Sequence, residues 1–206
     1  MTNHFDQAAQ NWDSNPIHNE RTKAIAAEMI HSIPLRDDMK ALEFGSGTGL
    51  LSFALKDHLL EIVLMDNSIE MNKQSVAKIE AIGLSHFTPI HFDLEKDDYG
   101  KGSFDIIFTQ MALHHVKDVT ALIGKFYNLL NVGGYIAIAD LYAEDGTFHD
   151  SNFDGHYGFE PDFMIETLTK VGFTQTILKS CFEINRPEND DKQKVFPVFL
   201  VVAKKP

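Results

Sequence analysis

The sequence predicts an α/β protein with a doubly wound, mostly parallel sheet of seven strands and an antiparallel strand at one end. Short, unbroken apolar runs alternate with segments of helical periodicity, which is typical of parallel strands that are buried on both faces. The last two β segments have no helix between them, which indicates an antiparallel pair. A glycine-rich turn follows the first strand directly, at the place where a doubly wound sheet binds its ligand.

The first half of the chain is predicted to begin with helices at 6–13 and 18–33, and Pro34 ends the second of them. Strands and helices then alternate, because buried apolar runs are separated by helical patterns. The predicted elements are a strand at 41–44, a helix at 50–59, a strand at 61–65, a helix at 68–82, and strands at 88–92 and 104–108.

The second half contains the clearest helical pattern, at 119–130, where apolar residues follow the i, i+3, i+4, i+7 rule. Gly133 and Gly134 are expected to separate this helix from the next strand. The further predicted elements are a strand at 135–139, a polar loop at 141–158, a helix from Pro161 to before Gly172, and β segments at 173–184 and 195–203 joined by a hairpin connection at 185–194.

The length of 206 residues predicts one domain with a substantial core. We expect three parts within it: an N-terminal helical cap (1–35), a half that carries the ligand-binding turn (36–141), and a remainder (142–206) with the polar loop, last helix and C-terminal hairpin. The single cysteine, Cys181, excludes an internal disulfide and a cysteine-based zinc site.

The charge balance limits the possible partners. Eighteen Lys and Arg stand against 30 Asp and Glu, a net charge of −12. This argues against a nucleic-acid partner, because phosphate binding depends on basic side chains. The chain begins without a basic-then-apolar leader, and no apolar run approaches the roughly 20 residues that span a bilayer. We therefore expect no membrane association and a cytoplasmic location.

The turn after the first strand reads Glu-Phe-Gly-Ser-Gly-Thr-Gly at 43–49. Glycines here allow positive φ and let a ligand approach the backbone closely. The third glycine of a dinucleotide fingerprint would fall at position 50, which is Leu50, and no Gly-Lys-Ser/Thr of a phosphate loop follows. The spacing of the glycines therefore fits neither a dinucleotide fingerprint nor a phosphate loop.

This turn, together with later motifs, resembles the class I S-adenosylmethionine-dependent methyltransferases, in particular the small-molecule enzymes of type 11/12. Asp66 ends the second strand, Asp93 stands in His-Phe-Asp-Leu-Glu, and Leu-His-His-Val follows the fourth strand at 113–116, all as in that family. The resemblance implies a Rossmann-like methyltransferase fold and S-adenosyl-L-methionine as cofactor.

The resemblance also implies roles for individual residues. Asp66 would bind both ribose hydroxyls, since a carboxylate accepts the two hydrogen bonds that a diol offers. Asp93 and the Leu94 amide would read the adenine, and Met71 would pack on it. Glu43 would organise the loop and, with the Gly45 and Gln110 carbonyls, hold the amino group of the methionine moiety. The full implied cofactor-binding set is Glu43, Gly45, Ser46, Gly47, Asp66, Asn67, Met71, Asp93, Leu94 and Gln110.

Methyl transfer from a sulfonium is an in-line displacement, so the protein mainly aligns the acceptor and excludes water. A general base helps only an acceptor with a tightly held proton. The candidates are His114, His115 and His156, of which at most one of the adjacent pair should face the substrate. His149, Tyr142 and Tyr157 are further possibilities. The acidic loop at 140–156 is interpreted as solvated, and no metal is predicted. Trp12 either closes over the cofactor or anchors its segment.

The expected partner is a small-molecule methyl acceptor, with the O, N or C acceptor atom left open, and the protein is expected to be a monomer or homodimer. Two other functions remain. A non-catalytic S-adenosylmethionine-binding or accessory protein would bind the nucleoside without turnover. A nicotinamide-dependent oxidoreductase is disfavoured by Leu50 and by the second acid, Asp93.

Overall fold

A computed structural model describes residues 4–187 and 193–206. It confirms the predicted architecture: one seven-stranded sheet in the order β3-β2-β1-β4-β5-β7-β6, in which β7 runs antiparallel to both of its neighbours and the other pairs are parallel. The strands are β1 (Lys40–Phe44), β2 (Glu61–Asp66), β3 (Phe87–His91), β4 (Phe104–Gln110), β5 (Leu130–Leu141), β6 (Thr174–Pro187) and β7 (Gln193–Lys204).

Six α-helices and two 3₁₀ helices accompany the sheet in the described residues. They are α1 (His4–Ala8), a 3₁₀ helix at Ala9–Ser14, α2 (Pro16–Ser32), α3 (Leu50–Leu55), α4 (Ile69–Ile82), a 3₁₀ helix at Leu113–His115, α5 (Val119–Leu129) and α6 (Pro161–Val171). None of these helices combines the length and apolar character that crossing a bilayer requires.

Local chemistry explains where the helices begin and end. The side chain of Ser68 caps α4 by accepting from the Met71 amide at 3.2 Å, and Gly83 ends the helix at φ +77°. Asp118 caps α5 through the Ala121 amide at 2.9 Å. Gly83 and Asp118 each lie one residue outside a predicted helix, whereas Ser68 was counted as the first residue of its helix.

Three predicted boundaries were wrong by three or more residues. The helix at 50–59 ends at Leu55, where the chain turns through a 3.0 Å bond from the His58 amide to the Leu55 carbonyl. β5 already begins at Leu130, because Gly133 and Gly134 pair with Lys205 instead of forming a turn. Strand pairing continues into the predicted hairpin connection, of which 188–192 lies outside the described residues.

The connectivity reverses beside β1. From β1 the chain proceeds outward to β2 and β3, and it then returns to place β4 on the other side of β1. Buried apolar clusters cover both faces of the sheet. The reversal leaves a crevice beyond the carboxyl ends of the central strands, which is the usual ligand position in such sheets.

Candidate functional site

A cavity of about 310 Å³ lies at this crevice. The segments that follow β1, β2, β3 and β4 all line it, and so does part of the N-terminal region. Ten of the candidate cofactor-binding and catalytic residues are among the lining residues: Gly45, Ser46, Gly47, Asp66, Asn67, Met71, Asp93, Leu94, Gln110 and His115.

The glycine turn is fitted closely to the segment after β4. Gly45 has φ +62°, and a Cβ at this position would lie 2.5 Å from the Ala112 Cβ. Gly47 also has a positive φ of +55°. The Ser46 amide donates to the Met65 carbonyl at 3.0 Å, which ties the turn to β2. Glycine is therefore required at Gly45 by both conformation and space.

Asp66 connects β2 to the turn. Its Oδ2 accepts from the Gly47 amide and its Oδ1 from the Ser68 amide, both at 2.7 Å. Burial raises the pKa of Asp66, although both amide bonds oppose the shift. Each carboxylate oxygen has a second lone pair, so Asp66 retains acceptor capacity toward the cavity.

Asp93 lies at the rim of the cavity. It accepts from the Lys96 ammonium at 2.6 Å and from the Glu95 amide at 3.1 Å. Partial burial raises the pKa of Asp93, but these donors outweigh it, so the net shift is downward. Asp93 is therefore an ionised acceptor at neutral pH.

Glu43 is not part of the cavity lining, which distinguishes it from the other residues of the implied cofactor-binding set. It is completely buried, and its Oε2 accepts from both the amide and the hydroxyl of Ser52 in α3. Burial raises the pKa of Glu43 to about 8. Within the described part of the chain, its Oε1 has no hydrogen-bond partner. The observed contacts join β1 to α3, and a contact with cofactor remains a prediction.

The N-terminal segment closes one side of the cavity. Trp12 lines it, and the neighbouring Asp13 accepts from the Thr48 hydroxyl and from the Lys78 ammonium, the latter at 2.7 Å. Asp6 accepts from the Ser68 hydroxyl at 2.6 Å. The segment is thus attached both to the glycine turn and to the start of α4.

Sequence reasoning missed Arg21, which is the only Lys or Arg among the described lining residues. It is 6% exposed, and burial lowers its pKa to about 10 while Asp140 opposes the shift. Its Nε has no hydrogen-bond partner among the described residues. A signal was present: Arg21 lies four residues before Ile25 and so falls on the apolar face of α2.

Met111 was also missed. It lines the cavity directly after β4 and has φ +51°, a left-handed conformation that is uncommon for a residue with a side chain. Its amide donates to the Ala139 carbonyl at 2.8 Å, which holds the strained residue against β5. Strained backbone of this kind concentrates at functional sites. No local sequence pattern indicates it.

The three candidate catalytic histidines occupy different positions. His115 lines the cavity, whereas His114 and His156 are absent from the described lining residues. His114 is buried, and its Nδ1 lies 2.6 Å from the Asp140 carboxylate. His156 Nε2 lies 3.0 Å from the Val116 carbonyl. Of the three, His115 has direct access to a ligand in the cavity.

Comparison with known families assigns this architecture. Residues 18–177 match a family model described as a methyltransferase domain. The chain belongs to the methyltransferase-domain family. The match covers the glycine turn, both strand-end acids and the histidine segment, so the motif resemblance found in the sequence is confirmed at the level of the family.

Curated relatives are similar at low identity. The chain is 31% identical over 121 residues to an uncharacterised methyltransferase of Schizosaccharomyces pombe, covering 55% of this chain and 43% of the relative. Phosphoethanolamine N-methyltransferase 3 of Arabidopsis thaliana is 30% identical over 115 residues, covering 55% and 23%. The match therefore spans less than half of these relatives. An uncharacterised methyltransferase of Bacillus cereus is 26% identical over 191 residues, covering 85% and 86%.

Solved structures share the fold. A chain from the Haloferax volcanii complex between the Trm112 methyltransferase activator and a methyltransferase superposes with a TM-score of 0.82 at 16% identity, covering 100% of this chain and 99% of that one. Phosphoethanolamine N-methyltransferase 2 of Haemonchus contortus, bound to phosphomonomethylethanolamine and S-adenosylhomocysteine, superposes with a TM-score of 0.70 at 16% identity, covering 89% and 52%.

Proposed function

We propose that the protein transfers a methyl group from S-adenosyl-L-methionine to an O, N or C atom of a small molecule. The observation that carries this proposal is the convergence of the glycine turn with two strand-end acids, Asp66 and Asp93, on one cavity at the reversal of the sheet. A nucleoside with a diol on one side and an amino group on the other fits this arrangement of acceptors.

The chain offers a suitable donor or acceptor for each polar part of the cofactor. Asp66 would accept from the ribose hydroxyls and Asp93 from the adenine amino group. Met71 and Leu94, both buried, would pack against the adenine. Arg21 would bind the carboxylate of the methionine moiety, because a buried guanidinium with an unpartnered Nε gains most from an anionic ligand.

The bound cofactor supplies a methyl group already activated by the positive sulfur. The protein residues then have to align the acceptor and keep water out, and proximity of this kind is worth about 7–11 kcal/mol of barrier. Phe5 and Trp12 would shield the cavity on the N-terminal side. His115 would take the proton of an acceptor that needs a base. The direct roles predicted for His114 and His156 are not part of this proposal.

We further propose that three parts of the chain have different roles. Residues 1–35 close over the cofactor and contribute Arg21, 36–141 provide the rest of the cofactor site, and 142–206 complete the acceptor side with the polar loop. The cytoplasmic location and the monomeric or dimeric state remain predictions.

For the acceptor, relatives named as phosphoethanolamine N-methyltransferases make small phosphorylated amines the first class to test, ahead of phenols and thiols.

The proposal is tested by following S-adenosylhomocysteine formation with phosphoethanolamine, simple amines, phenols and thiols, each against a no-acceptor blank. Acceptor-dependent turnover that falls in Asp66→Asn at subsaturating S-adenosyl-L-methionine supports methyl transfer. Tight nucleoside binding with no turnover on any acceptor class would instead support the accessory-protein alternative. Binding of NADH in place of S-adenosylhomocysteine would overturn the cofactor assignment.

A further inference from the structure

Three histidines from two separate parts of the chain meet beside the cavity. His114 and His115 belong to the 3₁₀ helix after β4, and His149 belongs to the polar loop after β5. One ring nitrogen from each lies within 4.8 Å of the other two. Among the described residues, no other group of three or more His, Cys, Asp or Glu converges so that it could hold a metal ion.

We propose that His114, His115 and His149 form a binding site for one divalent transition-metal ion, with zinc as the preferred metal. Three imidazoles and an open fourth position are a common donor set for zinc when it also binds an exogenous ligand. Imidazole suits zinc, copper and nickel rather than magnesium or calcium, which select oxygen ligands. This site was not expected from the sequence, where the loop was interpreted as solvated.

The environment of His114 supports ligation. The Asp140 carboxylate can only accept, so the 2.6 Å contact assigns the proton to His114 Nδ1 and leaves Nε2 with its lone pair. Asp140 is itself held by the amides of His114 and Leu141 at 3.2 and 2.8 Å. A carboxylate behind a histidine fixes the ring and raises its basicity, and metal-binding histidines usually have such a partner.

The environment of His149 independently supports metal ligation. Its Nδ1 is buried and has no hydrogen-bond partner within the described parts of the chain. The ring stacks on Phe153 with a centroid distance of 3.8 Å and an interplanar angle of 7°, which fixes its orientation. An unpartnered buried nitrogen costs free energy, and a metal ion would compensate for this cost.

Metal binding requires the three ring nitrogens to move closer together. Zinc bound at about 2.1 Å to three tetrahedral nitrogens would place them about 3.4 Å apart, whereas the present spacing extends up to 4.8 Å. The nitrogens therefore have to approach by at most about 1.4 Å, and we expect this movement to come from the His115 ring and from the loop that carries His149. Asp140 supplies negative charge against the added cation and against Arg21. Since His115 also lines the cavity, the fourth position would be open to an oxygen, nitrogen or sulfur atom of the methyl acceptor. In the zinc-bound protein His115 is a ligand, so this contact with the metal would replace the role of base proposed above for His115.

The test uses protein without a histidine tag that has been treated with a chelator and dialysed. Zn²⁺ is titrated by calorimetry, the bound metal is counted by elemental analysis, and Co²⁺ is added as a spectroscopic substitute. We expect one equivalent of zinc and the visible absorption bands of tetrahedral Co²⁺. His149→Ala should weaken zinc binding at least 100-fold, and His115→Gln should do likewise, while exposed His31→Ala should leave it unchanged.

Circular dichroism establishes that each variant is folded, and the Co²⁺ spectrum of the unmodified chain gives a result that needs no variant. Zinc binding that is absent, substoichiometric or equal in the unmodified protein and His149→Ala would overturn the proposal and leave the three rings as an aromatic cluster. Because no nucleoside is present, this result is independent of the methyltransferase proposal: zinc binding without S-adenosylhomocysteine binding would support the metal site alone.

Discussion

Asp66 at the end of β2 accepts a hydrogen bond from the amide of Gly47 at 2.7 Å, so the strand-end acid and the glycine turn form a single unit. A second amide, from Ser68, reaches the other carboxylate oxygen at the start of α4. The acceptor proposed for the ribose is thereby fixed in position before any ligand arrives, which lowers the entropic cost of binding.

Arg21 is expected to recognise the amino-acid part of the cofactor. Arg21→Met should weaken binding of S-adenosylhomocysteine at least about tenfold, because a charge-assisted hydrogen bond to a carboxylate is lost. Binding of 5′-methylthioadenosine, which lacks the carboxylate, should be unchanged. Calorimetry on both ligands checks this, with exposed Arg36→Met as the control. If Arg21→Met weakened the binding of both ligands equally, Arg21 would not be the residue that binds the carboxylate.

Gly45 is expected to be irreplaceable for reasons that do not apply to Gly124. Gly45→Ala places a Cβ 2.5 Å from that of Ala112 at φ +62° and should destabilise the protein by roughly 1–3 kcal/mol. Gly124→Ala, in the middle of α5 with no atom within 4 Å of its Cβ position, should stabilise it by about 0.5–1 kcal/mol. Chemical denaturation measures both. Equal effects would contradict the observed backbone geometry.

Glu43 is expected to make stability depend on pH. Its pKa is raised to about 8 by burial, so the folded protein holds a proton on Glu43 that the unfolded chain releases near 4.5. Stability from this group is present below about 4.5 and is lost as the pH rises toward 8. Glu43→Gln should remove this loss, gaining stability on the order of a few kcal/mol at pH 8.5 relative to pH 5.

The check is denaturant unfolding of both proteins at the two pH values, with exposed Glu80→Gln as control. The amide oxygen of glutamine can still accept from Ser52, so the variant preserves the link between β1 and α3. If Glu43→Gln and the unmodified protein lost stability in parallel as the pH rises, the Glu43 carboxyl would not be the group responsible.

Trp12 is expected to report on cofactor binding. It is the single tryptophan of the chain and lines the cavity, so its fluorescence should change saturably as S-adenosylhomocysteine is added. Asp13→Ala removes the contacts to Thr48 and Lys78 and should weaken binding by about 3–10-fold, since each such bond contributes about 0.5–1.5 kcal/mol. The control variant Asp37→Ala, at an exposed position, should leave binding unchanged. A constant emission through saturation would show that Trp12 is remote from the ligand.

Most of the fold could be predicted because its signals are local. Apolar runs marked the strands, i, i+3, i+4 patterns marked the helices, and the missing helix before β7 marked the antiparallel pair. The boundaries that failed depend on distant partners. No short-range pattern shows that Gly133 pairs with Lys205, so it was assigned to a turn.

The candidate site was predictable where its residues adjoin strand ends, as Asp66 and Asp93 do, because parallel strands bring their carboxyl ends to one edge. The position of Arg21 on the apolar face of α2 indicated that it is buried, but its place in the cavity could not be predicted, since nothing in the sequence fixes how α2 lies against the sheet. The meeting of His149 with His114 and His115 likewise depends on the path of a long loop. The sequence favoured at most one histidine of the pair facing the substrate, and only His115 of that pair is among the described lining residues.

The most direct test of the account is a calorimetric titration of S-adenosylhomocysteine, and separately NADH, into the unmodified protein and Asp66→Asn, with exposed Asp57→Asn as the control. We predict micromolar binding of the nucleoside, none of NADH, and at least about tenfold weaker binding in Asp66→Asn alone, since hydrogen bonds to a charged acceptor are worth about 1.5–3 kcal/mol. Nucleoside binding that is absent, or unaffected by the loss of the Asp66 charge, would contradict the assignment of this cavity to S-adenosyl-L-methionine.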